Sequence, residues 1–165
     1  QVIAADMSDN RLRIAEKLGA THTVNASRGD TARAVRELSG GRGVDVAIEA
    51  AGAVEAWHTA IGSVRKGGRV EFFGGLKEKT PVEFDTSWIH YGELTLHGTF
   101  HGTPMDVHRA YELIVSGTVD TGSLISDEMP LERAVEALDR MDRGEVIKVA
   151  LRPDLPAGDR NPRPR

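Results

Sequence analysis

Short apolar runs alternate with amphipathic, glycine-terminated segments along the first half of this chain, and few folds accommodate that alternation. In the opening QVIAADMSDNRLRIAEKLGA, residues Val2 to Ala5 form a continuous apolar run of the kind buried on both faces of a parallel sheet. Asp6 closes it. Leu12, Ile14, Ala15 and Leu18 then fall at helical spacing, Ser8 or Asp9 can cap the helix start, and Gly19 stands where a C-terminal cap belongs. The pattern repeats: a strand from about His22 to Asn25, a helix from about Thr31 to Leu38 that ends in SGGRG, and the apolar strand VDVAIEAAG. AVEAWHTAIGSVRKGG reads as a helix with Ala56, Ala60, Ile61 and Val64 facing inward and a glycine stop, followed by the strand GRVEFFGG. Strands alternating with helices predict crossover connections, and so an open parallel α/β sheet with helices on both faces.

TPVEFDTSWIHYGELTLHGTFHG breaks the rhythm. It reads as a loop carrying Trp88, His90 and Tyr91, then an alternating strand through Leu94 and Leu96 to Thr99–His101 at a sheet edge. PMDVHRAYELIVSGTVD predicts an amphipathic helix with Val107, Ala110, Leu113 and Ile114 on its apolar face. LISDEMPLERAVEALDRMDRGEVIKVALRP predicts an extended segment, a helix, a turn and a strand, with Pro130 in the first turn and Val135, Leu138 and Met141 as the buried stripe. The end, RPDLPAGDRNPRPR, has no periodicity and reads as a frayed tail.

Composition narrows the function classes. The chain has 165 residues, 39% hydrophobic and 28% charged, with a formal charge of -4, which argues for one globular core and against disorder or a broad nucleic-acid footprint. It contains no cysteine, so these residues form no disulfide and no thiolate metal site. No secretory leader pattern or membrane-length apolar run occurs, so the expectation is a cytoplasmic protein without membrane contact. Gln1 falls at the very edge of a strand with no turn before it, which reads as a cut.

Asp6 has two readings. In a dinucleotide-binding sheet an acid at the end of the second strand accepts hydrogen bonds from the adenosine ribose, and an aspartate also caps turns. Spacing alone does not separate them. The glycine-rich phosphate loop expected about twenty residues before such an acid is absent from this sequence, and GGRGVD precedes a strand rather than opening a helix. The expected sheet therefore lacks its first strand, and the gap falls between the second and fourth, beside the switch point where ligands bind. EAAG (Glu49–Gly52) and FFGGL (Phe72–Leu76) end successive strands, where small residues let a flat ring approach backbone. Glu49 lies inside an apolar strand and needs a partner if buried. His97 and His101, on one strand, lie too far apart for a compact metal site. There is no Gly-x-Ser-x-Gly, and neither Tyr91 nor Tyr111 has a lysine four residues on, which disfavours a hydrolase elbow and a tyrosine–lysine proton relay.

VIAADMSDNRLRIAEKLGATHTVNA, GVDVAIEAAG, KGGRVEFFGG and LISDEMPLERAVEALDRMDRGEVIKVALRP resemble, in order and spacing, the C-terminal part of zinc-dependent medium-chain dehydrogenases. IHYGELTLHGTFHGTP is most similar to the polyol type, sorbitol or L-iditol dehydrogenases, with threonine dehydrogenases as neighbours. The resemblance implies an incomplete Rossmann-type doubly wound sheet over 1–128, a helix and strand over 129–152 that return to a catalytic domain outside this chain, and a disordered tail over 153–165. It implies hydride transfer from a secondary alcohol to a nicotinamide cofactor, with zinc held by residues outside this chain, no catalytic residue or metal ligand within it, and an inactive fragment. Asp6 and Arg11 would hold the adenosine ribose. Ala51, Gly52, Phe73, Gly74 and Gly75 would border the cofactor, with Thr99, Phe100 and His101 at its nicotinamide end. The acid favours NAD: a carboxylate about 4 Å from a phosphate costs on the order of 4 kcal/mol at an effective dielectric near 20. That disfavours NADP by up to about a thousandfold, less whatever Arg11 offsets. The family pairs subunits through the strand near Glu93 to Phe100, so a homo-oligomer, dimer or tetramer, is expected. Two alternatives stand beside this reading: a nucleotide-binding module without redox chemistry, methyltransferase-like, and an inactive dehydrogenase remnant serving as an interaction surface.

Overall fold

The computed structural model describes residues 1–156. Its elements run β1 (Ile3–Asp6), α1 (Asp9–Lys17), β2 (His22–Asn25), α2 (Thr31–Leu38), β3 (Val44–Glu49), α3 (Val54–Ser63) and β4 (Val64–Phe72). They continue with α4 (Thr86–Tyr91), β5 (Thr95–Gly98), α5 (Pro104–Val115), β6 (Ile125–Pro130), α6 (Ala134–Asp142) and β7 (Lys148–Arg152). The chain divides into two compact units, Gln1–Met7 with Ala20–Thr103, and Ser8–Gly19 with Pro104–Arg165.

In the first unit every strand pairing is parallel. β1 pairs with β2 from Ile3↔His22 to Asp6↔Asn25, and β4 lies between β3 and β5, with Glu49↔Phe72 and Phe72↔Gly98 in register. No ladder joins β1 to β3 among the described residues. This is the split expected of a sheet that lacks the strand between its second and fourth. It leaves a mark on β3, whose apolar pattern suits burial on both faces: Val46 is 51% and Ile48 70% exposed. The opposite face carries the core, where Ala60 and Ile61 of α3 meet Val64, Val70 and Phe72 of β4.

The helix ends show where local signals suffice. Ser8 caps α1 by accepting from Arg11 N, and Asp30 caps α2 by accepting from Arg33 N at 3.0 Å. α3 departs from expectation. It stops at Ser63, before the anticipated Gly67–Gly68, and Val64, expected inside the helix, is instead the fully buried first residue of β4. The reason is tertiary. The Trp88 indole N–H donates to Ile61 O at 3.2 Å, and Arg36 donates through Nε to Gly62 O at 2.8 Å and through Nη2 to Val64 O at 3.0 Å. Donors from α2 and α4 thus satisfy the carbonyls that a helix end leaves unpaired, and the Arg36 guanidinium sits 5.4 Å from the Trp88 ring centroid. The loop expected around Trp88, His90 and Tyr91 is the helix α4, started by Asp85, whose carboxylate accepts from Ser87 N and Trp88 N. β5 is the edge strand of its sheet but ends at Gly98, so Thr99–His101 lie beyond it and His97 and His101 do not share a strand.

In the second unit β6 and β7 form a parallel pair, Ile125↔Lys148 to Pro130↔Arg152, with Met129, Pro130, Ala137 and Val146 buried. Pro130 is the last residue of β6 and also caps a 3-10 turn, Leu131–Arg133, that leads directly into α6. The stripe expected on α6 is also corrected: Ala137 is 3% exposed, whereas Val135 is 72% and Leu138 61% exposed. The helix has two apolar stripes at the same spacing, and the small one faces inward. Arg140 bonds Asp127 at 2.6 Å and Arg152 bonds Glu128 at 3.0 Å, both reaching β6. α5 forms as expected but buries no residue. Within the tail, Asp154 pairs with Arg152 at 2.7 Å, while the tail expectation for 157–165 lies outside the described residues. No described helix is long and apolar enough to cross a membrane.

Candidate functional site

Adjacent parallel strands bring their carboxyl ends together, and in open α/β sheets ligands bind there. β3 ends on Glu49 and β4 on Phe72, which are partners in register. The chain leaving β4 folds back over β3: Phe73 N and Gly74 N both donate to the Glu49 carbonyl at 2.9 Å. The Glu49 side chain holds the loop just past its own strand, accepting at Oε1 from Ala51 N and Gly52 N, each at 2.7 Å. The residue is 3% exposed, and its Oε2 is buried with no hydrogen-bond partner among the described residues.

The two loops cross backbone on backbone, which dictates glycine. A Cβ on Gly74 would lie 2.4 Å from Gly52 N and 2.6 Å from Glu49 Oε2. Gly52 has φ +69°, the left-handed region, and a Cβ there would lie 2.7 Å from Gly75 O. Trp57 braces the crossing from α3. Its ring stacks on Phe72 with centroids 3.9 Å apart, and its indole N–H donates to Gly74 O at 3.4 Å. Outside the crossing Phe73 is 61% exposed, and Gly75 has open space where a side chain would be.

β5 contributes next. Thr99 N donates to Phe72 O at 3.1 Å, so the chain past β5 stays tied to the end of β4. The Thr99 hydroxyl donates to Glu71, and His97 Nδ1 lies 2.8 Å from the same carboxylate. Phe100 is 86% exposed with its ring centroid 3.7 Å from that of His101, which holds φ +63°. The structure therefore gathers Ala51, Gly52, Phe73, Gly74 and Gly75 around Glu49, and links Thr99 to them through Phe72. Asp6, half-buried at the end of β1, belongs to the first unit, and Arg11, on α1, to the second.

Glu71 was not anticipated as part of this surface. The alternation Val70, Glu71, Phe72 carried the signal, since it puts the acid on the face opposite the core. No group of three or more His, Cys, Asp or Glu among the described residues could hold a metal ion. The described residues do not fit a zinc site.

A family model described as zinc-binding dehydrogenase matches residues 1–116, which is most of the chain. The chain belongs to the zinc-binding dehydrogenase family. The sorbitol dehydrogenase of Bacillus subtilis (strain 168) is 32% identical over 155 residues, covering 93% of this chain and 43% of that protein. The crystal structure of an alcohol dehydrogenase zinc-binding domain protein from Burkholderia ambifaria superposes with TM-score 0.84 at 30% identity, over 92% of this chain and 41% of that one. A zinc-binding dehydrogenase from Sinorhizobium meliloti 1021, solved bound to NADP, matches with TM-score 0.76 and 31% identity over 84% of this chain and 41% of that one. The chain thus spans less than half the length of these family members. Its relatives are oxidoreductases named for alcohols and polyols, and its α/β fold is theirs in part.

Proposed function

We propose that this chain is the dinucleotide-binding portion of a polyol-type alcohol dehydrogenase that moves hydride from a secondary alcohol to NAD. The observation that carries the reading is the glycine crossing of Gly52 and Gly74 at the carboxyl ends of β3 and β4, the position where parallel sheets bind ligands. In it Asp6 and Arg11 hold the adenosine ribose, Ala51, Gly52 and Phe73–Gly75 present backbone and one exposed ring to the cofactor, and Thr99, Phe100 and His101 border the nicotinamide. Bound NAD supplies the hydride acceptor: two electrons and one hydrogen leave the alcohol carbon, and the hydroxyl proton leaves separately. This chain binds and orients. Any zinc contribution comes from residues outside it, so the chain alone is inactive in turnover. Residues 1–128 make up the cofactor part, and about 129 to 152 return to a catalytic part. The open edge of β5 suits pairing with a second copy, and the protein works in the cytoplasm.

NAD is preferred to NADP because of the Asp6 carboxylate, although one family member is solved with NADP. The test is calorimetric titration of NAD and NADP into this chain and into the parent protein. Tighter binding of NAD by the parent, with a preference that Asp6→Ala shifts toward NADP by up to about a thousandfold, is the expected result. A parent that binds neither cofactor refutes the reading.

A further inference from the structure

Glu49 stands where the strand pattern asks for an apolar residue, and it is 3% exposed. A buried carboxylate is costly unless it is well bonded, yet only one of its oxygens is used. Oε1 takes Ala51 N and Gly52 N, while Oε2 has no partner among the described residues and lies against Gly74. The carbonyl of the same residue takes Phe73 N and Gly74 N. One residue therefore holds both loops of the crossing. Any residue could supply the carbonyl; the Oε1 contacts need a side chain of this length with an acceptor at its end.

We propose that Glu49 is the positioning residue of the strand-end crevice: through Oε1 it locks the Ala51–Gly52 turn against the Gly74–Gly75 turn, so that both present backbone to a dinucleotide as one body. The inference rests on the dinucleotide reading above. Glu49 acts only through the backbone of its neighbours. A specific chemical consequence follows from Oε2. Because that oxygen has no hydrogen bond to lose, Glu49→Gln keeps the Oε1 acceptor and substitutes one unpartnered group for another, whereas Glu49→Ala removes the lock.

The test compares wild type, Glu49→Gln, Glu49→Ala and Gly74→Ala in the 165-residue chain, reading amide exchange at Ala51, Gly52 and Gly74, the unfolding midpoint, and affinity for NAD. Hydrogen bonds to a charged acceptor are each worth about ten- to a hundredfold in an equilibrium. Glu49→Ala is expected to speed exchange at least about tenfold at Ala51 and Gly52, and also at Gly74, whose own acceptor is retained. NAD affinity falls by a similar factor, and Glu49→Gln, which keeps a neutral acceptor at Oε1, restores part of both. Unchanged exchange at Gly74 in Glu49→Ala, or a Gln variant that behaves like Ala, overturns the proposal. If Glu49→Ala does not fold, Gly74→Ala decides: its Cβ pushes on Glu49 Oε2 and Gly52 N, and it must speed exchange at Gly52, failing which the lock is refuted. Should wild type ignore NAD in both this chain and the parent, the dinucleotide reading fails, while the exchange data still judge the lock.

Discussion

Replacing Arg36 by Met removes the cap at the C-terminal end of α3 while leaving the aliphatic stem to pack. Two bonds are lost, Nε to Gly62 O at 2.8 Å and Nη2 to Val64 O at 3.0 Å. At the low end for charge-assisted bonds, about 1.5 kcal/mol each, the loss is about 3 kcal/mol. The guanidinium contact on the Trp88 ring adds roughly 0.5 kcal/mol at a partly exposed site. Both tryptophans, Trp57 and Trp88, lie in the first unit, so indole fluorescence in urea reports its unfolding. With a slope of about 2 kcal/mol per molar, the combined loss moves the midpoint down by about 1.75 M. Arg36→Lys keeps the charge near the helix end, worth about 0.3–1 kcal/mol, but not the fork, and recovers only that part. A shift under about 0.3 M for Arg36→Met, at unchanged slope, would refute the claim that this side chain ends the helix.

Three further outcomes are expected. Arg65, by a direct hydrogen bond, and Arg42 hold the Asp45 carboxyl below its ordinary range. A carboxyl depressed in the folded state stabilises above its unfolded pKa and loses that contribution as pH falls through the folded value. Asp45→Asn therefore flattens the acid side of a melting-temperature profile taken between about pH 5 and 2, and an unaltered profile counts against the pairing. Gly68→Ala puts a Cβ 2.7 Å from Arg65 O, whereas a Cβ on Gly75 meets nothing within 4 Å. Urea unfolding should show a loss of about 1–3 kcal/mol for the first and under about 0.5 kcal/mol for the second; equal effects would contradict the packing. Trp57→Phe keeps the stack on Phe72 but gives up the 3.4 Å bond to Gly74 O, and should cost well under the loss of about 3–5 kcal/mol expected of Trp57→Ala on removing the ring.

The parallel strands and most helix starts were legible in the sequence because their causes are local. Ser8 caps where spacing puts it, and β2 and α2 have the bounds expected, His22–Asn25 and Thr31–Leu38. The end of α3 was not legible, because its determinant is Arg36, 26 residues from Gly62. Gly67–Gly68 looked like a helix stop and instead marks an irregular start to β4, where Gly67 has φ +68°. α4 was hidden by its short length and by aromatic residues that read as loop. On α6 the period was right, but of the expected stripe only Met141 is half-buried, since Ala134 and Ala137 repeat at the same spacing as Val135 and Leu138 and turn inward in their place. At the candidate site, strand-end position singled out Gly52 and Gly74. Only geometry showed that their Cβ positions are filled by each other's backbone, and that Glu49 joins them.

The split between β1 and β3 gives the first unit four sheet edges where one continuous sheet would have two. An unpaired edge is a template on which any extended chain can anneal, and Val46 and Ile48 furnish one inner edge with exposed apolar side chains. A strand seated between β1 and β3 abolishes two of the four edges at once. The event that makes the sheet continuous therefore also removes half of the edges through which the first unit could self-associate.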